Sequence, residues 1–214
     1  EQVGRNFGSH FMNFNGTAGI WRKQTIIDAG GWEHDTLTED LDLSYRAQMK
    51  NWKFVYLEDV DAPAELPMAI SALKNQQFRW TKGGAENFRK MLPKLLFKRG
   101  IPLKHRLHGL GHLFNSSVYF FVFTAAIMSV PLLTVVRMDE FYSYLIRLTS
   151  VFFISTAFLM FYYALSFREE HRNGLVKGLA FIVRFFQFLA VSLGMSFYNT
   201  KAVVLAYYGK KTPF

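Results

Sequence analysis

Long uncharged runs dominate the second half of the chain, whereas the first third alternates short apolar segments with polar ones. Residues 107–136 contain no Lys, Arg, Asp or Glu, and residues 148–167 form a second such run. A helix needs about 20 apolar residues to cross a bilayer, so these runs predict spans over 110–136 and 148–167. A third run contains Arg184, and a charge is costly in the middle of a span. Residues 178–208 are therefore predicted to form an interfacial or re-entrant helix, with a third crossing as the alternative.

The first 70 residues combine a helical stripe with a strand pattern, which predicts an α/β fold. The stripe recurs every four residues and consists of Leu41, Tyr45 and Met49. Thr36 and Glu39 have the spacing of a capping box, in which Thr36 caps the helix and Glu39 returns the hydrogen bond. Residues 52–57 are mostly aromatic or β-branched and follow Asn51, so they predict a strand directly after this helix.

Residues 71–106 form a strongly basic segment between these two regions. Ten Lys and Arg residues lie from Lys74 to Arg106, with Glu86 as the single acid among them. Apolar anchors accompany the charges, a pattern typical of helices that lie in the membrane interface. The alternative is a solvated, charged face that packs on the preceding domain.

The net charge also differs between the first third of the chain and the rest. Residues 1–73 hold six Lys and Arg against eleven Asp and Glu, a net charge of −5, whereas residues 74–214 hold nineteen against five, a net charge of +14. A basic excess beside long apolar runs favours an anionic membrane surface as the partner. Nucleic acid is disfavoured because the aromatic residues lie in the apolar runs and are not interleaved with the basic ones. The absence of Cys excludes disulfides and Cys-ligated zinc.

Basic residues also predict the orientation in the membrane. Ten Lys and Arg precede the first predicted span, two lie between the spans, and three follow within residues 168–177. The positive-inside rule then places the N-terminal part and residues 168–177 in the cytoplasm. We expect a multi-pass protein of the cell (inner) membrane whose N-terminal part is cytoplasmic.

An acidic motif, Thr38-Glu39-Asp40, opens the helix that carries the apolar stripe. A helix N-terminus stabilises an ionised carboxylate, so Asp40 is suited to act as a base toward an alcohol. Acidic residues are also common in first turns for capping alone, and the spacing leaves that alternative open.

A second motif, Gln76-Gln77-Phe78-Arg79-Trp80, lies in the basic segment. On a helix Gln76 lies beside both Arg79 and Trp80, at i+3 and i+4. An aromatic ring flanked by amide and guanidinium donors suits a sugar, and a guanidinium suits a diphosphate. The alternative is an amphipathic helix with an interfacial Trp.

Taken together, the two motifs resemble those of the processive family 2 glycosyltransferases, which include cellulose synthases and glucomannan mannosyltransferase-like synthases. The Gln-Gln-x-Arg-Trp motif begins about 36 residues after the acidic motif ends, and uncharged runs follow it. Other stretches also resemble the family, among them residues 14–19, 29–32 and 199–203.

The resemblance implies a GT-A type domain that transfers a hexose, with inversion, from a UDP- or GDP-activated sugar to a growing β-glycan. By this match Asp40 is the general base, and Glu39 supports it within the motif that Thr38 opens. The residues expected to contact the donor diphosphate or the acceptor end are Gln76, Gln77 and Arg79. Trp80 is expected to stack on the terminal acceptor sugar. The residues expected to border the acceptor channel are Asn15, Gly16 and Thr17.

The resemblance also divides the chain into three parts. Residues 1–70 are expected to form the C-terminal half of the cytoplasmic GT-A domain. Residues 71–106 are expected to form the interface helices with the Gln-Gln-x-Arg-Trp motif, and residues 107–214 the membrane region.

Metal ligands depart from the family pattern. The Asp-x-Asp that holds Mg²⁺ or Mn²⁺ is expected upstream of Glu1, because none precedes Thr38. Asp40-Leu41-Asp42 belongs to the acidic motif, and Asp59-Val60-Asp61 follows the base in the wrong order. The family's gating loop would begin at Phe214, so we expect a piece of a larger protein that is inactive alone.

Two other functions stay open. A non-processive enzyme would glycosylate a lipid with the same motifs, whereas a transporter or membrane scaffold would use the acidic motif as a cap only. The partners expected for the leading function are the nucleotide sugar, a glycan or lipid acceptor and membrane lipids. The sequence leaves open whether an accessory subunit exports the polymer.

Overall fold

The computed structural model describes residues 2–8, 11–14, 16, 18–136, 144, 147, 152–170 and 175–212. The chain divides into two compact units: the first is formed by Glu1–Phe120 with Tyr198–Phe214, and the second by Phe121–Phe197. The predicted acidic and Gln-Gln-x-Arg-Trp motifs both belong to the first unit.

Helices account for the regular structure of the described residues. They are α1 (Gln2–Phe7), α2 (Lys23–Asp28), α3 (Glu39–Met49), α4 (Ile70–Phe97), α5 (Leu103–Phe114), α6 (Val118–Val136), α7 (Phe152–Glu170) and α8 (Leu175–Tyr207), with a 3-10 turn at Asn115–Ser117.

The core of the first unit lies where α3, α4 and α5 meet. The stripe predicted on α3 is confirmed, because Tyr45 is fully buried, Met49 is nearly so, and Leu41 packs against them. The other buried members of this cluster are Phe11, Met91, Leu95 and Leu113. Full burial of a large apolar side chain contributes about 1.5–3 kcal/mol, so the cluster holds α3 firmly against its neighbours.

Helix α3 begins later than the capping box predicts. Glu39 is its first residue and Thr38 its N-cap, and the Thr38 side chain forms no capping hydrogen bond. The prediction of Thr36 as N-cap, with Glu39 as its reciprocal partner, is therefore wrong. The reason is a tertiary contact: Thr36 Oγ1 accepts a hydrogen bond from Asn87 Nδ2 of α4, at 3.3 Å.

The strand predicted over residues 52–57 is also wrong. Residues 52–57 have no regular secondary structure, and the described residues contain no β-strand with which they could pair. Their alternating pattern still serves packing, since Trp52 and Phe54 are half-buried against Leu43 and Ala47. The described chain is thus helical, and the α/β fold class is not confirmed.

Two helical stretches are long and apolar enough to cross a bilayer by length and composition, namely Leu103–Pro131 and Ala180–Tyr207. The first contains most of the span predicted over 110–136. The second belongs to α8, which continues through Arg184 without a break. The interfacial or re-entrant placement of residues 178–208 stays a prediction, and the third crossing stays its alternative.

The other predicted span, residues 148–167, is described only in part. Its described apolar portion is the helical stretch Ile154–Phe167, which is shorter than a crossing needs. Residues 148–151 lie outside the described ranges. The span therefore stays a prediction.

Candidate active site

Asp40 lies in the first turn of α3, half-buried, with both carboxylate oxygens engaged by backbone amides. Its Oδ2 accepts a hydrogen bond from the Gly16 N–H at 2.9 Å, and its Oδ1 accepts one from the Leu41 N–H at 2.8 Å. Gly16 has φ +54°, a conformation that favours glycine. The structure thus brings two predicted site residues, Asp40 and Gly16, into direct contact. Asn15 and Thr17 lie outside the described residues.

The loop that leads into Asp40 is held by α4. Asn87, which is fully buried, donates from Nδ2 to the Thr38 carbonyl and to Thr38 Oγ1, each at 3.0 Å. Glu86 Oε2 accepts the Leu37 N–H at 2.8 Å. These bonds hold residues 37 and 38 against α4, so α4 sets the direction from which the chain enters α3.

Gly83 lets α4 come this close to the acidic motif. A Cβ added at Gly83 would lie 2.5 Å from Thr38 Oγ1 and 2.8 Å from the Thr38 backbone nitrogen. Real Cβ atoms do not approach other atoms at such distances. Position 83 therefore needs glycine because a loop packs directly on the helix backbone.

Sequence reasoning missed the α4 residues that carry this contact, Glu86 and Asn87. Lys82, also missed, is fully buried, pairs with Glu86 at 3.1 Å, and donates to the Lys210 carbonyl at 2.6 Å. One signal was available, since Glu86 is the single acid in a strongly basic segment. Asn87 gave no such signal, because its partners are distant along the chain.

The Gln-Gln-x-Arg-Trp motif occupies α4 as the sequence predicts for a helix. Gln76 and Gln77 are half-buried, whereas Arg79 and Trp80 are exposed. Trp80 lines a cavity of about 320 Å³ together with Leu41, the residue after Asp40. The structure therefore places Trp80 and the start of α3 on one cleft. Asp40, Gln76, Gln77 and Arg79 are not among the described residues that line it.

A second acidic group lies on the other side of α3. Lys90 Nζ contacts the carboxylates of Glu33, Asp35 and Asp42 at 2.6, 2.7 and 2.8 Å. Arg46 Nε pairs with Asp42 at 2.6 Å, and Asp42 is fully buried. We call these five residues the Lys90 cluster.

The Lys90 cluster also fixes the Gly30-Gly31 turn that precedes the motif. Arg46 Nη1 donates to the Ala29 carbonyl at 2.6 Å and to the Gly31 carbonyl at 2.8 Å. Both glycines have positive φ, +96° and +87°, which a residue with a side chain rarely adopts. The similarity of residues 29–32 to the family segment thus corresponds to a turn tied to α3.

Charge pairing shifts the titration of the cluster. The hydrogen bond from Lys90 holds the pKa of Glu33 below its ordinary value. Burial pushes the pKa of Asp35 upward, but the hydrogen bond from Lys90 outweighs it and the pKa lies below its ordinary value. Burial likewise disfavours charge on Lys90, yet its hydrogen-bonded carboxylates raise its pKa. All three groups are therefore charged at neutral pH.

The spacing of these carboxylates is that of a cation site, because one oxygen each of Glu33, Asp35 and Asp42 lie within 4.8 Å of one another. Lys90 Nζ already contacts all three. A divalent cation such as Mg²⁺, with ligands at about 2.1 Å, would have to displace this ammonium. The cluster does not fit the Mg²⁺ or Mn²⁺ that the resemblance implies, and ligands upstream of Glu1 stay a prediction.

Comparison with curated proteins finds relatives of one kind. The chain is 47% identical to probable glucomannan 4-beta-mannosyltransferase 3 of Oryza sativa subsp. japonica over 102 residues, 48% of this chain and 18% of that protein. It is 40% identical to probable glucomannan 4-beta-mannosyltransferase 4 of the same organism over 134 residues, 63% of this chain and 23% of that protein. It is 45% identical to glucomannan 4-beta-mannosyltransferase 1 of Cyamopsis tetragonoloba over 108 residues, 50% of this chain and 20% of that protein.

The chain spans about a fifth of the length of these curated relatives. No solved structure gives a significant match to it. The sequence model of the family described as glycosyl transferase family group 2 matches residues 3–168, well over half of the chain. The chain therefore belongs to glycosyl transferase family group 2, as the two motifs predicted, and the curated relatives are named as mannosyltransferases.

Proposed function

We propose that this chain is the base-bearing and acceptor-binding part of a membrane-bound, inverting hexosyltransferase. The enzyme would transfer a hexose from a UDP- or GDP-sugar to a growing β-glycan. The names of the relatives, glucomannan 4-beta-mannosyltransferases, favour mannose as that hexose. Since the chain covers a fifth of their length, the activity is assigned to a larger protein that contains it.

One observation carries the proposal: a carboxylate at a helix N-terminus stands beside a glycine loop, and the next residue, Leu41, lines the cleft that Trp80 borders. Among the described residues, Asp40 accepts hydrogen bonds from backbone amides only. It is not neutralised by an ion pair with any described residue, unlike Asp42 two positions later. A carboxylate oriented in this way can accept a proton from an incoming hydroxyl.

In the proposed reaction, an acceptor hydroxyl oxygen attacks C1 of the donor sugar from the face opposite the diphosphate. The C1–O bond to the diphosphate breaks, the hydroxyl proton passes to Asp40, and the configuration at C1 inverts. Glu39, beside Asp40 at the mouth of α3, would support it. The fixed entry of Thr38, held by Asn87, keeps the base in place.

Substrate binding is assigned to the second motif and the glycine loop. Trp80, whose side chain is 55% exposed and lines the cleft, would stack on the terminal acceptor sugar. The donor diphosphate is assigned to Gln76, Gln77 and Arg79. The border of the acceptor channel is assigned to Asn15, Gly16 and Thr17.

Membrane attachment would follow from α6 and α8 together with the basic segment 71–106. The exposed apolar residues near the end of that segment include Leu96, Phe97 and Leu103, beside a run of Lys and Arg. Such a surface suits anionic lipid headgroups. The first unit would then face the cytoplasm, where sugar nucleotides are available.

The test uses membranes that contain the full-length protein, incubated with labelled UDP- and GDP-hexoses. We expect a labelled polymer that a β-glycan hydrolase digests. A labelled glycolipid would instead support the non-processive enzyme. The absence of transfer to either product, with the protein present and folded, would favour the scaffold or transporter.

Trp80→Ala sharpens this test by separating acceptor use from donor use. We expect transfer to the acceptor to fall about tenfold, because stacking of a ring on an aromatic side chain is worth about 1–3 kcal/mol. Hydrolysis of the sugar nucleotide should change little. Tyr56→Ala, an exposed aromatic residue outside the cleft lining, is the control. Equal loss of transfer and donor hydrolysis in Trp80→Ala would argue against stacking.

A further inference from the structure

The cleft that Trp80 borders is also lined by residues outside the two motifs. Besides Trp80 and Leu41, the cavity of about 320 Å³ is lined by His112 of α5 and by Asn115 and Ser116. The combination of one exposed aromatic ring with several small polar groups is the lining that a sugar requires. His112 is the only imidazole among the described residues that line it.

His112 is held in one orientation by a buried tyrosine. The Tyr45 hydroxyl lies 2.7 Å from His112 Nδ1 and also donates toward the Gly109 carbonyl at 3.2 Å. Tyr45 is fully buried, and burial raises the pKa of its hydroxyl, which therefore stays protonated. The hydroxyl is thus available as a hydrogen-bond partner of Nδ1 at neutral pH.

Stacking restricts the same ring further. Phe11 stacks on Tyr45 with centroids 4.8 Å apart, and Tyr45 stacks on His112 at 6.0 Å. A Cβ at Gly109 would lie 2.9 Å from the Phe11 ring, so glycine at this position admits the stack. The three rings form a column that ends at the cleft.

The second ring nitrogen of His112 is left for a ligand. Nε2 forms no hydrogen bond with the described residues, although His112 is only half-buried and lines the cleft. A neutral imidazole offers one donor and one acceptor, and a sugar hydroxyl can be either. Whichever tautomer Tyr45 selects, Nε2 can therefore bind a hydroxyl group.

We propose that His112 binds a hydroxyl of the acceptor glycan through Nε2, and that Tyr45 is the residue that positions it. The proposal rests on the proposed function, and it adds a specific acceptor contact outside the two motifs. The ligand is a β-linked hexose chain whose terminal sugar stacks on Trp80. His112 also lines a second cavity of about 580 Å³ together with Arg5, His108 and Asn115, so a longer chain would keep contact with it.

The test measures transfer by the full-length protein in membranes to short β-linked hexose oligosaccharides, with hydrolysis of the sugar nucleotide as a separate readout. His112→Phe keeps the stacked ring but removes both nitrogens. We expect it to raise the acceptor KM about tenfold, the effect of one lost hydrogen bond, and to leave donor hydrolysis unchanged. His112→Gln, which retains a polar group near the Nε2 position, is expected to restore the KM to within about threefold.

Tyr45→Phe tests the positioning role separately. It preserves the stack on Phe11 and removes only the hydroxyl, so we expect a rise of about threefold in the acceptor KM with unchanged donor hydrolysis. The controls are His34→Phe and Tyr56→Phe, both exposed and remote from the cleft lining. Neither is expected to change either readout.

Three outcomes would overturn the inference. An unchanged acceptor KM in His112→Phe, in a protein whose wild type uses the oligosaccharide, would remove His112 from the acceptor site while leaving the proposed function intact. Equal loss of donor hydrolysis and transfer in both His112 variants would show a structural role instead. A wild type that transfers no sugar would overturn the proposed function and this inference together.

Discussion

Asp40 and Asp42 lie two positions apart on α3, but their carboxylates differ in burial and in the groups that they contact. Residues at i and i+2 point about 200° apart around a helix. On one side, Asp40 is half-buried and meets the Gly16 loop through backbone amides. On the other, Asp42 is fully buried and is neutralised by Lys90 and Arg46.

The difference shows how one residue type acquires two roles on one helix. A carboxylate that pairs with cations in the interior contributes to stability, because its removal leaves those buried charges unpaired. A carboxylate held by backbone amides at an accessible edge keeps capacity to accept a proton. The Asp42 side should therefore control folding, and the Asp40 side should control turnover.

The largest expected effect is that of Asp40→Asn on sugar transfer. Removal of a general base costs about 10²–10⁴ in rate, so we expect turnover of the full-length enzyme to fall about a thousandfold while its melting temperature changes little. Labelled-sugar incorporation and thermal unfolding in detergent provide the two measurements. Asp59→Asn, an exposed carboxylate in the loop after residue 57, is the matched control. Unchanged turnover in Asp40→Asn would end its assignment as the base.

Asp42→Asn should lower the stability of the protein and leave the turnover of the folded enzyme unchanged. Breaking a buried ion pair by removing one partner costs about 3–5 kcal/mol, because Lys90 and Arg46 would then lack a buried partner. Thermal or denaturant unfolding should reveal this loss of stability, with activity lost only in proportion to unfolded protein. Asp28→Asn, an exposed carboxylate at the end of α2, should change stability by less than about 0.5 kcal/mol. Lost turnover in a fully folded Asp42→Asn enzyme would contradict the division of roles.

Gly83→Ala tests the contact by which α4 holds the acidic motif. The added Cβ would lie 2.5 Å from Thr38 Oγ1, so either the loop or α4 must shift. We expect a loss of stability of about 1–3 kcal/mol, the cost of overpacking, together with reduced turnover as Asp40 moves. Gly194→Ala, where an added Cβ meets nothing within 4 Å, is the control for helix propensity. Normal activity in Gly83→Ala would show that the loop position is not critical.

The smallest expected effect is the pH dependence of the Lys90 cluster. The pKa values of Glu33 and Asp35 lie below their ordinary values of 4.5 and 3.8, so their contribution is complete above those values and is lost as pH falls through the lower folded ones. The pKa of Lys90 lies above 10.5, so its contribution is complete below that pH and is lost as pH rises further.

Stability should therefore be flat from about pH 5 to pH 10 as far as this cluster is concerned. The decline in acid should be shallow, because the side chains of Glu33 and Asp35 are 41% and 51% exposed and solvent screens their ion pairs. Lys90→Met should flatten that acid decline, measured by unfolding at pH 3 to 6. Lys53→Met, an exposed lysine outside the cluster, should leave it unchanged.

Much of the helical structure followed from local pattern. The stripe of Leu41, Tyr45 and Met49 predicted the buried face of α3, because a helix places every fourth residue on one side. The strand over 52–57 failed for the opposite reason: its alternating residues do pack, but a strand also needs a partner at long range. The capping box failed because Thr36 finds Asn87 on another helix.

By itself, the sequence determined the family, the two motifs and the uncharged runs, because side-chain type and spacing are written along the chain. Only the tertiary structure decided that Asp42 is neutralised by Lys90, that Gly83 must lack a side chain, and that Tyr45 meets His112. Those facts depend on residues 48, 45 and 67 positions apart, which are brought together by the packing of α3, α4 and α5. Local spacing carries no information about contacts at such separations, since they exist only once the core has formed.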